Sequence, residues 1–239
     1  FGARKIFADA TFEINREDKV ALVAANGVGK STLLHIIVDR LSRDAGSVEF
    51  GHQVRWAFFE QDQGLALDPK KTILETVEDA CESSDARARV RALLGSFLFT
   101  GDDVNKRVGV LSGGEKNRVA MVKVLLQGAN FLILDEPTNH LDAESIIWLR
   151  EYLTKYSGGL VIISHDVNLI ETVVNKVFYI DANRNVIDVY NLGWKKYLLQ
   201  REQDEHRRKK ERANAEKKAE ILAKQGEKMR AKASKAKAA

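Results

Sequence analysis

The stretch Ala24-Ala25-Asn26-Gly27-Val28-Gly29-Lys30-Ser31-Thr32 lies after the apolar run 19–24 and before a helically spaced segment, 31–40. It matches the spacing GxxxxGK[ST] at every position except the first, where alanine stands for glycine. A strand running through such a loop into a helix lets successive backbone N–H groups, including those of Asn26, Gly27, Val28, Gly29 and Thr32, wrap a phosphate. The positive end of the helix then faces the same anion. Lys30 would neutralise β- and γ-phosphate oxygens, and the Ser31 hydroxyl would coordinate Mg²⁺. The structural alternative is a glycine-rich strand-to-helix turn with no ligand. If position 24 required a positive φ, Ala24 would cost about 1–2 kcal/mol there; with ordinary backbone the methyl would be harmless.

Outward from this loop the chain alternates short β-branched apolar runs with helically spaced segments. Runs 19–24, 131–134, 160–163 and 176–180 read as buried strands, and segments 31–40, 115–127, 144–156 and 167–174 as helices. That alternation predicts an α/β fold with a mainly parallel sheet. Residues 11–15 and 54–59 alternate more strongly and predict an antiparallel flank. Residues 62–128 predict an inserted helical lobe, with helices near 72–81 and 85–94. The run Phe131-Leu132-Ile133-Leu134-Asp135-Glu136 ends in two acids, 105 residues after Lys30. A buried strand of this kind delivers carboxylates to the sheet edge where α/β folds bind ligands. Asp135 would hold Mg²⁺, and Glu136 would polarise a water attacking a γ-phosphate.

The 239 residues are 44% apolar and 30% charged, enough for a sizeable core and unlike disordered, collagen-like or disulfide-rich chains. No run approaches 18 apolar residues, so direct membrane insertion is not expected, and a lone Cys81 fits a reducing, cytoplasmic setting. The net charge of +4 is unevenly spread: residues 201–239 hold 14 Lys+Arg and 7 Asp+Glu. That tail, rich in Ala, Glu, Lys and Arg, predicts one long helix broken or weakened at Gly226. Its few larger apolar residues, Ile221, Leu222 and Met229, cannot bury it in a core. A basic helix of this kind suits a polyanion, with a solvated, i,i+4-paired helix as the alternative.

Leu111-Ser112-Gly113-Gly114-Glu115 opens the helix that leads to the Phe131 strand. Alone it is a helix cap with a glycine turn. Together with the phosphate loop and the acidic strand, it makes residues 1–190 resemble the ATP-binding-cassette (ABC) ATPases. Ser112 to Glu115 is similar to the family signature. Gln61, in Phe59-Glu60-Gln61-Asp62, falls where the family has its Mg²⁺- and water-sensing glutamine, and His165, in Ser164-His165-Asp166, where it has its switch histidine. Asn139 to Asp142 is similar to the loop that communicates across the cassette dimer, which brings Asp142 to the site. Phe1 is the candidate for stacking on adenine. The resemblance implies domains at 1–193 (cassette) and 194–239 (basic helical tail). It further implies ATP and Mg²⁺ as ligands and a second cassette as partner, each phosphate loop facing the other cassette's signature.

Glu136-Pro137-Thr138-Asn139-His140-Leu141-Asp142 and Tyr190-Asn191-Leu192-Gly193-Trp194 resemble the ABC-F branch, whose members join two cassettes by a helical linker and act on ribosomes. On that resemblance Arg207, Arg208, Lys209, Lys210, Arg212, Lys217 and Lys218 would meet rRNA or tRNA phosphates, and the protein would act in translation, with antibiotic protection as one form. The chain is expected to be a first cassette cut inside its linker. Two alternatives remain: an ATPase subunit of a membrane transporter, docking through residues 62–100, and a nucleotide-binding module with weakened hydrolysis.

Overall fold

A computed structural model describes residues 6–8, 10–60 and 62–237, with side chains described as far as Lys218 except Ala215. Phe1 and Gln61 lie outside the described residues. Two compact units divide the chain, residues 1–194 and 195–239.

Six strands of the first unit form one sheet in the order β2-β3-β4-β1-β5-β6. They are β1 (Lys19–Val23), β2 (Trp56–Phe59), β3 (Phe131–Asp135), β4 (Gly159–Ile163), β5 (Lys176–Asp181) and β6 (Val186–Tyr190). All neighbouring pairs are parallel except β5 with β6. The strands are near-continuous apolar runs because both sheet faces are covered. On one face Val20, Leu22, Ile133, Val161, Ile163, Phe178 and Ile180 pack with Leu33, Leu34 and Ile37 of α1 (Lys30–Ile37). Residues of opposite parity, Ala21, Leu132, Leu134, Leu160 and Ile162, are equally buried.

The predicted antiparallel flank is not found where it was expected. Residues 54–59 contain β2, which pairs parallel with β3 in the register Trp56 to Phe131 and Phe59 to Leu134. Residues 11–15 form no strand. The antiparallel strand is instead β6, joined to β5 by a short turn. The pattern in residues 54–59 carries no information about strand direction; in β2 Trp56 is 40% exposed while Ala57, Phe58 and Phe59 are buried.

Between β2 and β3 lie α2 (Ile73–Glu78), α3 (Ser84–Ser96) and α4 (Gly113–Leu126), together with three short 3₁₀ turns. After β3 come α5 (Ala143–Lys155) and α6 (Val167–Val173). Five helices start on side-chain caps: Thr72 for α2, Ser83 for α3, Ser112 for α4, Asp142 for α5 and Asp166 for α6. Each accepts from an N–H of the first turn that would otherwise lack a partner.

The second unit is helical. The last helix, α7 (Trp194–Lys237), is the one long helix expected and runs through Gly226 without the break that the glycine allowed. One glycine costs about 1 kcal/mol in a helix interior, and the flanking Ala, Glu, Lys and Gln are strong helix formers. Arg201 pairs with Glu205, and Arg207 with Asp204 and Glu211, at i,i+3 and i,i+4 spacing.

Candidate functional site

Helix α1 differs from the others at its start. Its N-cap is Gly29, with φ 112° and no side-chain cap, so the first-turn N–H groups point into the loop that precedes them. Gly27 (φ 73°) and Gly29 are the two loop positions in the conformation that favours glycine. A methyl on Gly29 would also lie 2.7 Å from the Ile6 side chain. Ala24, by contrast, is not among the residues with positive φ, and it packs partly buried against the core. The departure from the glycine spacing therefore carries no backbone strain.

Lys30 folds back over its own loop, its Nζ donating to Ala24 O (3.2 Å), Ala25 O (3.4 Å) and Asn26 Oδ1 (3.3 Å). These are long bonds to neutral acceptors, which an anion in the loop would readily replace. A cavity of about 520 Å³ opens here, lined by Asn26 to Thr32, Asp135, Glu136, Asn139, Ile163, His165 and Ile6. The C-terminal ends of β1, β3 and β4 all deliver residues to it, as expected for the ligand edge of a parallel sheet.

Asp135 and Glu136 are 5% and 8% exposed. Burial pushes the Asp135 carboxyl above the usual carboxylate range, with Ser31, His35 and Lys30 acting in the opposite sense. Burial also raises Glu136, with His165 and Lys30 acting in the opposite sense. Glu136 holds φ 49°, a left-handed conformation that a bulky side chain adopts only where its surroundings impose it. Its backbone N–H donates to Ile163 O at 2.9 Å, and its carboxylate accepts from the His165 N–H at 3.2 Å. His165 Nε2 lies 3.1 Å from Glu136 Oε1, while the rest of the imidazole, 72% exposed, faces the cavity side. A carboxylate held by a histidine beside a set of free N–H groups can activate water next to a bound phosphate.

Ser112, Gly113, Gly114 and Glu115 do not line this cavity. Ser112 closes a capping box: its Oγ accepts from the Glu115 N–H (3.3 Å), and Glu115 Oε2 accepts from the Ser112 N–H (2.8 Å) and hydroxyl (2.7 Å). The hydroxyl hydrogen bond, then the backbone one, holds Glu115 below its usual range. Gly114 packs near His140, since a Cβ there would lie 3.6 Å from the His140 Cβ. The 137–142 loop thus touches the start of α4 at His140 and the cavity at Asn139. Asp142 is also outside the cavity. Burial would raise it, but the Ser145 N–H (2.9 Å) and hydroxyl (2.9 Å) outweigh that and lower it, so it caps α5.

Ile6, Asn139 and Ile163 line the cavity without having been site candidates. Ile6 carries no motif, and only the folding of the N-terminal segment over Gly29 brings it there.

A family model described as ABC transporter matches residues 7–139. The chain belongs to the ABC transporter family. Its curated relatives include ABC transporter F family member 5 of Arabidopsis thaliana, 40% identical over 76% of this chain and 26% of the relative. ATP-binding protein Uup of Buchnera aphidicola subsp. Schizaphis graminum is 38% identical over 76% of this chain and 33% of the relative. Energy-dependent translational throttle protein EttA of Mycobacterium tuberculosis is 38% identical over 70% and 30%. The chain therefore spans about a quarter to a third of the length of these relatives. Among solved structures, the ATP-binding subunit of an ABC transporter superposes with a TM-score of 0.68 at 22% identity, over 80% of this chain and 86% of that one. A post-hydrolysis dimer of the cassette MJ0796 with ADP and Pi gives 0.62 at 20%, over 79% and 91%. These two matches establish the ABC cassette fold. Among the described residues no helix is long and apolar enough to cross a membrane.

Proposed function

We propose that this chain is an Mg²⁺-dependent ATP-hydrolysing cassette of the ABC-F branch, working with a second cassette on the ribosome. The observation that carries the ATPase reading is the convergence of Lys30, Asp135, Glu136 and His165 on one cavity beside an uncapped helix start. ATP phosphates would lie along the N–H groups of residues 27–32, and Lys30 Nζ would leave its loop carbonyls for β/γ oxygens. The donor set fits Mg²⁺: Ser31 and Asp135, a hydroxyl and a carboxylate, both hard oxygen donors, line the same cavity. When bound, Mg²⁺ would neutralise charge on the phosphate oxygens. Glu136 would take a proton from the attacking water through its carboxylate, and His165 would orient that carboxylate and face the γ-phosphate.

Ser112 to Glu115 stand outside the cavity of their own chain, which supports a role at the nucleotide of a second cassette. The signature Ser112 would reach that phosphate by exchanging its hydrogen bond to Glu115 for one to the ligand. The ribosomal reading rests on the relationship to EttA, whose name assigns it to translational throttling, and on the exposed basic side chains of α7. The Arg207–Glu211 pair on α7 is solvent-exposed and contributes little, so RNA phosphates could compete for its arginine. The domain division that follows is a cassette through Gly193 and a basic linker from Trp194. The test is capture of ribosomes from a cytosolic lysate by the Glu136→Gln chain with ATP and Mg²⁺, at two salt concentrations. Salt-sensitive, ATP-dependent recovery supports the reading. Recovery of membrane permease subunits instead would assign the cassette to transport.

A further inference from the structure

Helix α3 packs on α2, α4 and α5 through one face and turns the other to solvent. Ala86, Val90, Leu93 and Leu94 are buried, while Ser84, Arg87, Ala88, Arg91 and Ala92, at helical spacing, are exposed on the opposite side. Gly95 continues that outer face, and a Cβ there would meet nothing within 4 Å. Arg89, also exposed, stands at the margin and gives its Nε to Asp85 O at 3.3 Å. Among the described residues none of these three arginines forms an ion pair. The acids just before the helix are taken by other cations: Asp79 by Lys71 at 2.6 Å and Glu82 by Arg55 at 3.5 Å.

This arrangement works against the helix. Arg87 and Arg91 are like charges at i,i+4, which costs an isolated helix about 0.2–0.5 kcal/mol. Arg87 also stands near the helix end whose dipole repels cations. Local rules broken without internal compensation are expected where a surface serves a ligand, and here the ligand must be an anion. Its class follows from what the face lacks. From Ser84 to Gly95 it carries no large apolar side chain, whereas protein interfaces are built round aromatic and aliphatic anchors, and membrane-surface helices insert theirs. A phosphate backbone is recognised by charge alone. Four residues rise about 6 Å, so Arg87 and Arg91 can each take a phosphate of one strand, in the bidentate manner open to guanidinium. The short side chains of Ala88 and Ala92 let that strand approach closely.

We propose that the outer face of α3 is an RNA-binding surface on the cassette, with Arg87 and Arg91 holding backbone phosphates and Arg89 adding charge at the margin. This deepens the ribosomal reading above and rests on it.

The experiment measures binding of labelled poly(U) RNA by fluorescence anisotropy across a salt series, with thermal melts of each protein. It compares the parent chain, Arg87→Gln/Arg91→Gln, Ala88→Glu, and the control Arg16→Gln/Lys70→Gln, which removes equal charge from exposed positions elsewhere. Losing two single-strand phosphate contacts should lower the log–log salt slope of the α3 double variant by about 1.4, with the control at the parent's slope. The double variant should melt no lower than the parent, because it loses a repulsion. Ala88→Glu keeps both arginines and should weaken RNA binding by repelling phosphate; it carries the test should the double variant fail to fold. An unchanged slope in the α3 variant, or an equal fall in the control, overturns the α3 surface while leaving RNA binding by the chain intact. Displacement of the RNA by poly-glutamate as readily as by unlabelled poly(U) overturns the choice of RNA. A parent chain that binds no RNA overturns the ribosomal reading and this inference with it.

Discussion

Replacing Ala24 by glycine restores the spacing GxxxxGKS, yet the structure predicts no gain in nucleotide affinity. Ala24 has ordinary backbone and its methyl packs partly buried beside the core cluster. Removing a fully buried methyl costs about 0.8 kcal/mol, so a half-buried one costs about 0.4. Glycine adds about 0.4–1 kcal/mol by widening the unfolded ensemble. Together these give a loss near 1 kcal/mol, or a Tm lower by about 2–4 °C for a domain of this size. ATP affinity should stay within about twofold. The contrasting variant is Gly29→Ala. There φ is 112°, for which a side chain costs at least the roughly 1–2 kcal/mol of the left-handed region, and Ile6 must also give way. If about 2 kcal/mol of that falls on the loop geometry that holds phosphate, affinity drops about 30-fold. Calorimetric titration with ATP and thermal melts of both variants provide the assay. Tenfold tighter binding by Ala24→Gly, or unchanged binding by Gly29→Ala, would refute the assignment of backbone roles in this loop.

Glu136→Gln should bind ATP but not hydrolyse it, and phosphate release by the variant at the parent's rate would remove Glu136 as the base. Because burial raises the Glu136 pKa, the folded state holds its proton more tightly than the unfolded one, and the ionised form is penalised near neutral pH. The Gln variant should therefore melt above the parent at pH 7, with the difference closing as pH falls through the raised Glu136 value toward the ordinary carboxylate range. For the same reason hydrolysis should lose its base at a higher pH than an ordinary carboxylate would allow. Ser112→Ala removes one half of the α4 capping box and should lower stability by about 1 kcal/mol without any nucleotide present, as read by denaturant melts. Replacing Arg208, Lys209, Lys210 and Arg212 with glutamine should reduce the salt dependence of RNA binding by a log–log slope of about 3 if each meets one phosphate.

The parts of the site that lie within short contiguous motifs were legible in the sequence. The loop 24–32, the pair Asp135-Glu136 and His165 each follow an apolar strand, so their placement at the sheet edge comes from local order alone. The capping role of Ser112 was legible too, because Ser and Glu three residues apart specify a capping box. Strand direction was not. Residues 54–59 look alike in a parallel or an antiparallel edge strand, and only pairing with Phe131 to Leu134, more than seventy residues away, decides it. The partnership of His35 with Glu60 is hidden for the same reason: it joins residues 25 apart through the packing of α1 on β2. Ile6 joins the cavity by tertiary contact, and no pattern in residues 6–8 announces it.

The cavity at the ends of β1 and β3 is expected to hold the phosphates of Mg²⁺-bound ATP. Equilibrium titration of the parent and of Lys30→Ala with ATP and Mg²⁺ tests it most directly. Hydrogen bonds to charged groups contribute about 1.5–3 kcal/mol, so the variant should bind about 10- to 150-fold more weakly. Equal affinity in the two proteins would place the nucleotide outside this cavity.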